Sequence, residues 1–267
     1  MKHLGQQSSL PLEYDPSLLE SVPRNEPFSG MGYDVWHAYE VRALTANGNV
    51  VCGVLKFTYD ATSDKVVESK SLKLYLYSLS LKRFTGEIPQ NAISEYEWVF
   101  ARDLAALLGT PVWCRFFTEY TTTQEVMSGF ELLENAKPTP LCTRPQYREL
   151  RHVKVFTHRI QTFCPITGQP DYGTLYLDMK GRNIPDSIRY IQDQINAVCG
   201  QKAFHEDVAN HFYEHFRKTF VADMIMVACL YTRRGGIDIC PVRFNHVSLA
   251  PTLLIDPYVL PMTTFRR

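Results

Sequence analysis

Excess charge of either sign is missing from this 267-residue chain: 28 Lys and Arg stand against 28 Asp and Glu, and the pI is near 7.1. That balance argues against a nucleic acid or an anionic membrane surface as the main partner, and points to a small ligand. No apolar run approaches the length of a bilayer span, and Met1 to Gln7 lacks the basic-then-apolar layout of a secretory signal, so the expected setting is the cytoplasm. Cysteine is sparse. The seven thiols, at positions 52, 114, 142, 164, 199, 229 and 240, include no Cys-x-x-Cys pair, so neither a disulfide framework nor a cysteine-rich zinc site is indicated. Also missing are a G-x-G-x-x-G after a strand and a G-x-x-x-x-G-K-[ST], so any nucleotide is held outside the Rossmann and P-loop designs.

What is present is a 45% hydrophobic globular chain, long enough for two modest domains or one large one. Residues 1–30 are polar with scattered prolines and read as an extended lead-in. Val35 to Leu44 and Val50 to Tyr59 flank Ala46-Asn47-Gly48-Asn49, a strong hairpin signal. After a β-like Lys65 to Val67, the run from Glu68 to Tyr77 is ambiguous between strand and helix. A helix is predicted over Ile93 to Leu108 from apolar residues at three- and four-residue spacing, ended by Gly109 and Pro111. Val112 to Tyr120 reads as a strand, and Glu134 to Pro145 as a linker. The order then starts again: a hairpin from His152 to Asp178, helices at Ser187 to Val198 and Phe204 to Phe220, and strands at Asp223 to Tyr231 and Gly236 to Cys240. Val51-Cys52-Gly53-Val54-Leu55 aligns loosely with Asp171-Tyr172-Gly173-Thr174-Leu175. The expectation is an α+β chain with two copies of one module, and a site where they meet.

Five stretches could carry chemistry. Cys164-Pro165-Ile166-Thr167-Gly168-Gln169-Pro170-Asp171 sets a thiol and a carboxylate at the two ends of a tight loop, a nucleophile with a proton carrier. A small buried hydrophobe is the other reading of Cys164. Phe204-His205-Glu206-Asp207 opens a helix, where Glu206 could receive the N–H donors of a guanine-like base and His205 could donate a proton; acids complementing a helix dipole are the plainer reading. Phe204, Val208, Phe212, Phe216 and Phe220 recur every four residues as a core stripe. In Glu68-Ser69-Lys70-Ser71, with Lys73, hydroxyls and ammonium groups could hold phosphate oxygens while Glu68 reads ligand donors; a solvated turn is the alternative. Arg233-Arg234-Gly235-Gly236 could admit a phosphate or be a basic hairpin turn. His211-Phe212-Tyr213-Glu214-His215 matches the H-x-x-E-H pattern of zinc peptidases, but no downstream segment is evident to supply a third ligand.

Taken in order from about Tyr33 to Ile239, Glu68-Ser69-Lys70-Ser71-Leu72-Lys73-Leu74-Tyr75, Cys164-Pro165 with Asp171, Phe204-His205-Glu206 and Arg233-Arg234-Gly235-Gly236 resemble the NADPH-dependent 7-cyano-7-deazaguanine reductases. These are the nitrile reductases of queuosine biosynthesis, and the likeness is to their long, two-module form. The resemblance implies a tandem pair of tunnelling-fold (T-fold) ββααββ modules, with antiparallel sheets and helices on one face. It divides the chain into a lead-in (1–30), an N-terminal module (31–137) and a C-terminal module with the thiol (138–267). It makes Cys164 the nucleophile toward the nitrile and Asp171 the proton donor, with His205 assisting. Val67, Glu68, Ser69, His205 and Glu206 would hold the base, and Ser69, Lys70, Arg234 and Gly235 would hold NADPH; no metal is implied. Tyr77 departs from the smaller polar residue of many members. A homodimer acting on a free base, with no direct nucleic-acid or membrane partner, is expected. Two alternatives stay open: a zinc-dependent cyclohydrolase-like enzyme of the same fold acting on a pterin precursor, and a non-catalytic purine-binding module.

Overall fold

The computed structural model describes residues 10–136, 151–181 and 187–261. Asn47-Gly48 turns the chain between two long strands, β2 (Met31–Leu44) and β3 (Val50–Asp60), with Gly48 at φ 90°. Before them a short β1 (Ser21–Pro23) pairs antiparallel with β4 (Lys65–Val67), so the lead-in is not featureless. The ambiguous run resolves as helix α1 (Ser69–Leu79), because Glu68 caps it: its carboxylate accepts the N–H groups of Lys70 and Ser71 at 2.9 and 2.7 Å. Helix α2 (Pro89–Leu108) begins four residues ahead of the apolar spacing, with Pro89 in its first turn, and ends on Gly109 in the left-handed region at φ 72°. Strand β5 (Val112–Phe117) follows.

A two-residue β6 (Glu131–Leu132), which the sequence pattern did not predict, pairs parallel with β7 (Arg151–Phe163). Residues 137–145 of the expected linker, and with them the 137/138 module boundary, lie outside the described residues. Then come β8 (Pro170–Gly181), helices α3 (Ser187–Val198) and α4 (His205–Thr219), and strands β9 (Ala222–Tyr231) and β10 (Ile237–Phe244). One eight-stranded sheet runs β5-β3-β2-β10-β9-β8-β7-β6, antiparallel except at β6–β7. The two halves join where β10 pairs with β2, Ile239 opposite Trp36.

Each long hairpin carries a bulge at the same place. The β2–β3 register slips between Ala38 (opposite Leu55) and Val41 (opposite Gly53), and the β7–β8 register between Thr157 (opposite Leu175) and Ile160 (opposite Gly173). These are the glycine and leucine positions that the loose sequence alignment superposed. Alternation along the strands puts one face under the helices. Trp36, Leu55, Phe57 and Ile239 pack with Leu72, Tyr96 and Phe100, while Leu175, Leu177, Val227 and Cys229 pack with Ile191, Phe212 and Phe216. The expected stripe on α4 is core at Val208, Phe212, Phe216 and Phe220. The opposite face is covered by Val126, Met127 and Leu254.

Candidate active site

Every site residue expected from sequence lines one cavity of about 380 Å³: Val67, Glu68, Ser69, Lys70, Cys164, Asp171, His205, Glu206, Arg234 and Gly235. Its floor is the seam between the halves, with Trp36, Ile237 and Ile239 contributed by β2 and β10.

The thiol loop is tight for the reasons its sequence suggests. Cys164 N–H donates to the Gln169 carbonyl and Gly168 N–H donates to the Cys164 carbonyl, each at 2.9 Å, with Gly168 in the left-handed region. Cys164 is half-buried at the end of β7, and Asp171 is buried near the start of β8. One Asp171 oxygen accepts from the Arg234 guanidinium; the other lies 3.4 Å from His205 Nε2. Burial works to raise the Asp171 carboxyl, but hydrogen bonds and charges from His205 and Arg234 outweigh it and hold the group below the ordinary aspartate range. The His205 ring is fixed by stacking on Tyr231, with centroids 3.7 Å apart.

Glu206 stands in the first turn of α4, 4% exposed, and makes no side-chain hydrogen bond to another residue among the described ones. Burial, reinforced by the charge of Asp34 and opposed by His205 and Arg24, pushes its carboxyl up to about 7. A buried carboxylate facing a cavity without a protein partner is suited to a ligand that presents N–H donors.

Behind it lies a network of buried charges that no sequence pattern marks. Asp34 is fully buried between Arg24 and Arg243, and Arg243 also donates to Asn210 Oδ1 at 2.6 Å. Arg24 comes from the lead-in, where the lack of periodicity hid it.

Arg234-Gly235-Gly236 is a hairpin turn between β9 and β10: Arg234 N–H donates to the Ile237 carbonyl at 2.8 Å, and both glycines have positive φ. It is therefore both the basic turn and a wall of the cavity. Lys73, one turn along α1 from Ser69, lies over it; a Cβ on Gly235 would stand 2.8 Å from the Lys73 ammonium. Burial, then the neighbouring Arg234, lowers the Lys73 pKa. A cationic rim with bare backbone fits the diphosphate of a dinucleotide.

The H-x-x-E-H stretch forms no such centre among the described residues. His215 Nε2 is held by the Tyr190 hydroxyl at 2.8 Å, and Glu214 pairs with Arg217 and Lys218. His37, Asp238 and Cys240 do bring donor atoms within 4.8 Å of one another, and sequence reasoning did not anticipate it. They are buried and hydrogen-bonded together across the β2–β10 seam, His37 Nδ1 lying 2.7 Å from Asp238 Oδ1, which ties the two halves. The six described cysteines are unpaired, as expected.

The fold and cavity define a class: an α+β protein whose joined halves line one cavity with a thiol, an acid held below the ordinary aspartate range and a second, buried carboxyl. Residues 11–116 match the family model described as nitrile reductase, 7-cyano-7-deazaguanine-reductase N-term. Curated relatives named NADPH-dependent 7-cyano-7-deazaguanine reductase include those of Desulfotalea psychrophila (32% identical, covering 91% of this chain and 92% of the relative), Rickettsia typhi (31%; 92% and 94%) and Colwellia psychrerythraea (29%; 93% of each). The chain belongs to the NADPH-dependent 7-cyano-7-deazaguanine reductase family.

Proposed function

We propose that this chain reduces the nitrile of 7-cyano-7-deazaguanine to the aminomethyl group of 7-aminomethyl-7-deazaguanine, using two NADPH, and so serves queuosine modification of tRNA. The observation that carries the reading is the convergence of Cys164, Asp171, His205, Glu68 and Glu206 on one cavity with a cationic rim. Glu206 and the free lone pairs of Glu68 receive the N–H donors of the base, with backbone groups at Val67 and Ser69 completing its edge. So held, the base presents its nitrile carbon to the Cys164 sulfur.

Asp171, kept ionised by Arg234 and His205, takes the thiol proton as sulfur bonds to carbon and passes it to the nitrile nitrogen. The product is a neutral thioimide: one S–H bond and one π bond of the nitrile are broken, and one C–S and one N–H bond are formed. Such general acid–base help is worth ~10²–10⁴ in rate. The thioimide is a better hydride acceptor than the nitrile, which divides a hard reduction into easier ones. Ser69, Lys70, Arg234 and Gly235 would hold NADPH, which would supply one hydride to each of two successive reductions. Cys164 departs between them as the C–S bond breaks, and His205 feeds the remaining protons through its contact with Asp171.

The matching bulges support a tandem T-fold with modules at 31–137 and 138–267 after a 1–30 lead-in. A cytoplasmic homodimer acting on the free base completes the reading. It is consistent with the balanced charge, with the absence of any helix among the described residues long and apolar enough to cross a membrane, and with β5 as an outer strand bearing the half-exposed Trp113.

Intact mass spectrometry after mixing with the nitrile base alone is the test. An adduct of the base's mass in the wild type, lost in Cys164→Ala, is expected. Bound base without an adduct would instead favour a non-catalytic purine-binding module, and one zinc per chain a cyclohydrolase-like enzyme.

A further inference from the structure

A second cavity, of about 370 Å³, adjoins the first, and Lys73, Gly235 and Ile237 line both. One wall is the β2 bulge, where Tyr39 N–H donates to the Gly236 carbonyl at 2.8 Å and Glu40 takes a left-handed φ of 62°. The other is the face of α1 that carries Lys73, Tyr77 and Ser80. Arg42 and Lys73 against the single acid Glu40 leave this lining net positive. The exposed Arg42 guanidinium makes no ion pair among the described residues, and Tyr77 is 44% exposed, so its ring can meet a ligand.

A hydride donor must lay its nicotinamide against the thiol-bearing carbon, in a cavity that already takes a bicyclic base. The two rings of a dinucleotide sit at opposite ends of a diphosphate, so the far end must leave across the cationic rim, and the rim at Lys73 and Gly235 opens onto the second cavity. We propose that this second cavity receives the adenosine half of NADPH, with the diphosphate at the Lys73–Gly235 junction, adenine against Tyr77 and the 2′-phosphate on Arg42. The inference rests on the reductase reading above. It also gives Tyr77, the departure noted in the motif, a physical role: an aromatic face where a small polar residue offers none.

Arg42 becomes the residue that tells NADPH from NADH. Calorimetric titration of the full-length protein with adenosine 2′,5′-bisphosphate should show binding that weakens ~10-fold in Arg42→Gln and less in Arg42→Lys, the scale of one exposed charge-assisted contact. Adenosine 5′-monophosphate should bind both proteins equally. In steady state the KM for NADPH should rise by the same factor in Arg42→Gln while that for NADH stays put. Unchanged bisphosphate affinity in Arg42→Gln overturns the assignment. If the Cys164 adduct still forms, the reductase reading survives that result; if the adduct is absent in wild type, both fall together.

Discussion

Replacing Glu206 by Gln should make the ligand-free protein more stable and the enzyme worse, with both effects growing above neutral pH. The folded-state carboxyl stands at about 7 against an ordinary 4.5, because burial and then Asp34 disfavour its charge. At ~1.4 kcal/mol per unit, keeping it ionised in the empty cavity costs roughly 3 kcal/mol. With the folded value raised, the folded state binds the proton more tightly. This stability is fully present below about pH 4.5 and is lost as pH rises through about 7. Glu206→Gln, of the same shape and always neutral, should match wild type near pH 5 and exceed it by up to ~3 kcal/mol at pH 8.5, a rise of several degrees in Tm for a chain of this size. Binding goes the other way. If Glu206 reads the base, its ionised form accepts the N–H donors far more strongly than the acid, so wild-type affinity for the nitrile base, measured by calorimetry in a Cys164→Ala background, should fall by up to ~100-fold between pH 8 and pH 5. The additional Gln substitution should remove that dependence and bind 10–100-fold more weakly at pH 8, the worth of a charge-assisted hydrogen bond. Equal Tm profiles for Gln and Glu, or unchanged affinity at pH 8, would refute the placement of this carboxylate as an unpaired reader of the base.

Arg234→Gln removes a cation and a hydrogen bond from Asp171, so the carboxyl that those interactions depress should rise and the acid limb of kcat/KM should move to higher pH; an unmoved limb means Arg234 does not hold Asp171 ionised. Gly235→Ala asks an L-residue to adopt φ 57° and pushes the Lys73 ammonium aside; urea unfolding should show a loss of ~1–2 kcal/mol together with a raised KM for NADPH, and an unchanged midpoint would contradict the turn. Glu68→Ala strips the cap from α1 and should destabilise by about 1–2 kcal/mol in thermal unfolding, whereas Glu68→Gln, which keeps an acceptor, should lose less; equal losses would argue against capping.

The parts of the fold written in local chemistry were legible. Asn47-Gly48 marked one hairpin, Pro165 to Gly168 the other, and Gly109 stopped α2, because each acts through its own backbone. Helix α1 was not legible, since the residue that decides it, Glu68, is an uncommon cap whose carboxylate suits a ligand's donors as well as a helix end. Capping leaves room for a ligand contact: each oxygen gives one lone pair to the helix and has another free for a donor in the cavity. Strand β6 was invisible because two residues carry no period. The candidate site was legible as four fragments of distinctive composition, but their meeting was not, because it depends on the β10–β2 pairing that sews the halves into one sheet.

That seam also explains why a thiol in the second half needs the first half at all. Cys164, Asp171, His205 and Glu206 all follow residue 163, and yet part of the cavity lining around them comes from elsewhere: Glu68 to Lys73 from the cap and first turns of α1, Trp36 from β2 and Val22 from the lead-in. Arg24, whose side chain is 2% exposed, offsets the charge of Asp34 behind Glu206. Without it, Glu206 would lose a cation that lowers its carboxyl directly, and Asp34, left with Arg243 alone, would press that carboxyl still higher, toward the neutral form that is the weaker acceptor of N–H donors. A segment with no periodicity, no motif and four prolines thus helps to lower a carboxyl 182 positions further along the chain, counting from Arg24 to Glu206, against the larger raising effects of burial and Asp34. Pattern-based reading assigns such a segment nothing because its contribution is one charge in one place, and a single charge leaves no period to detect.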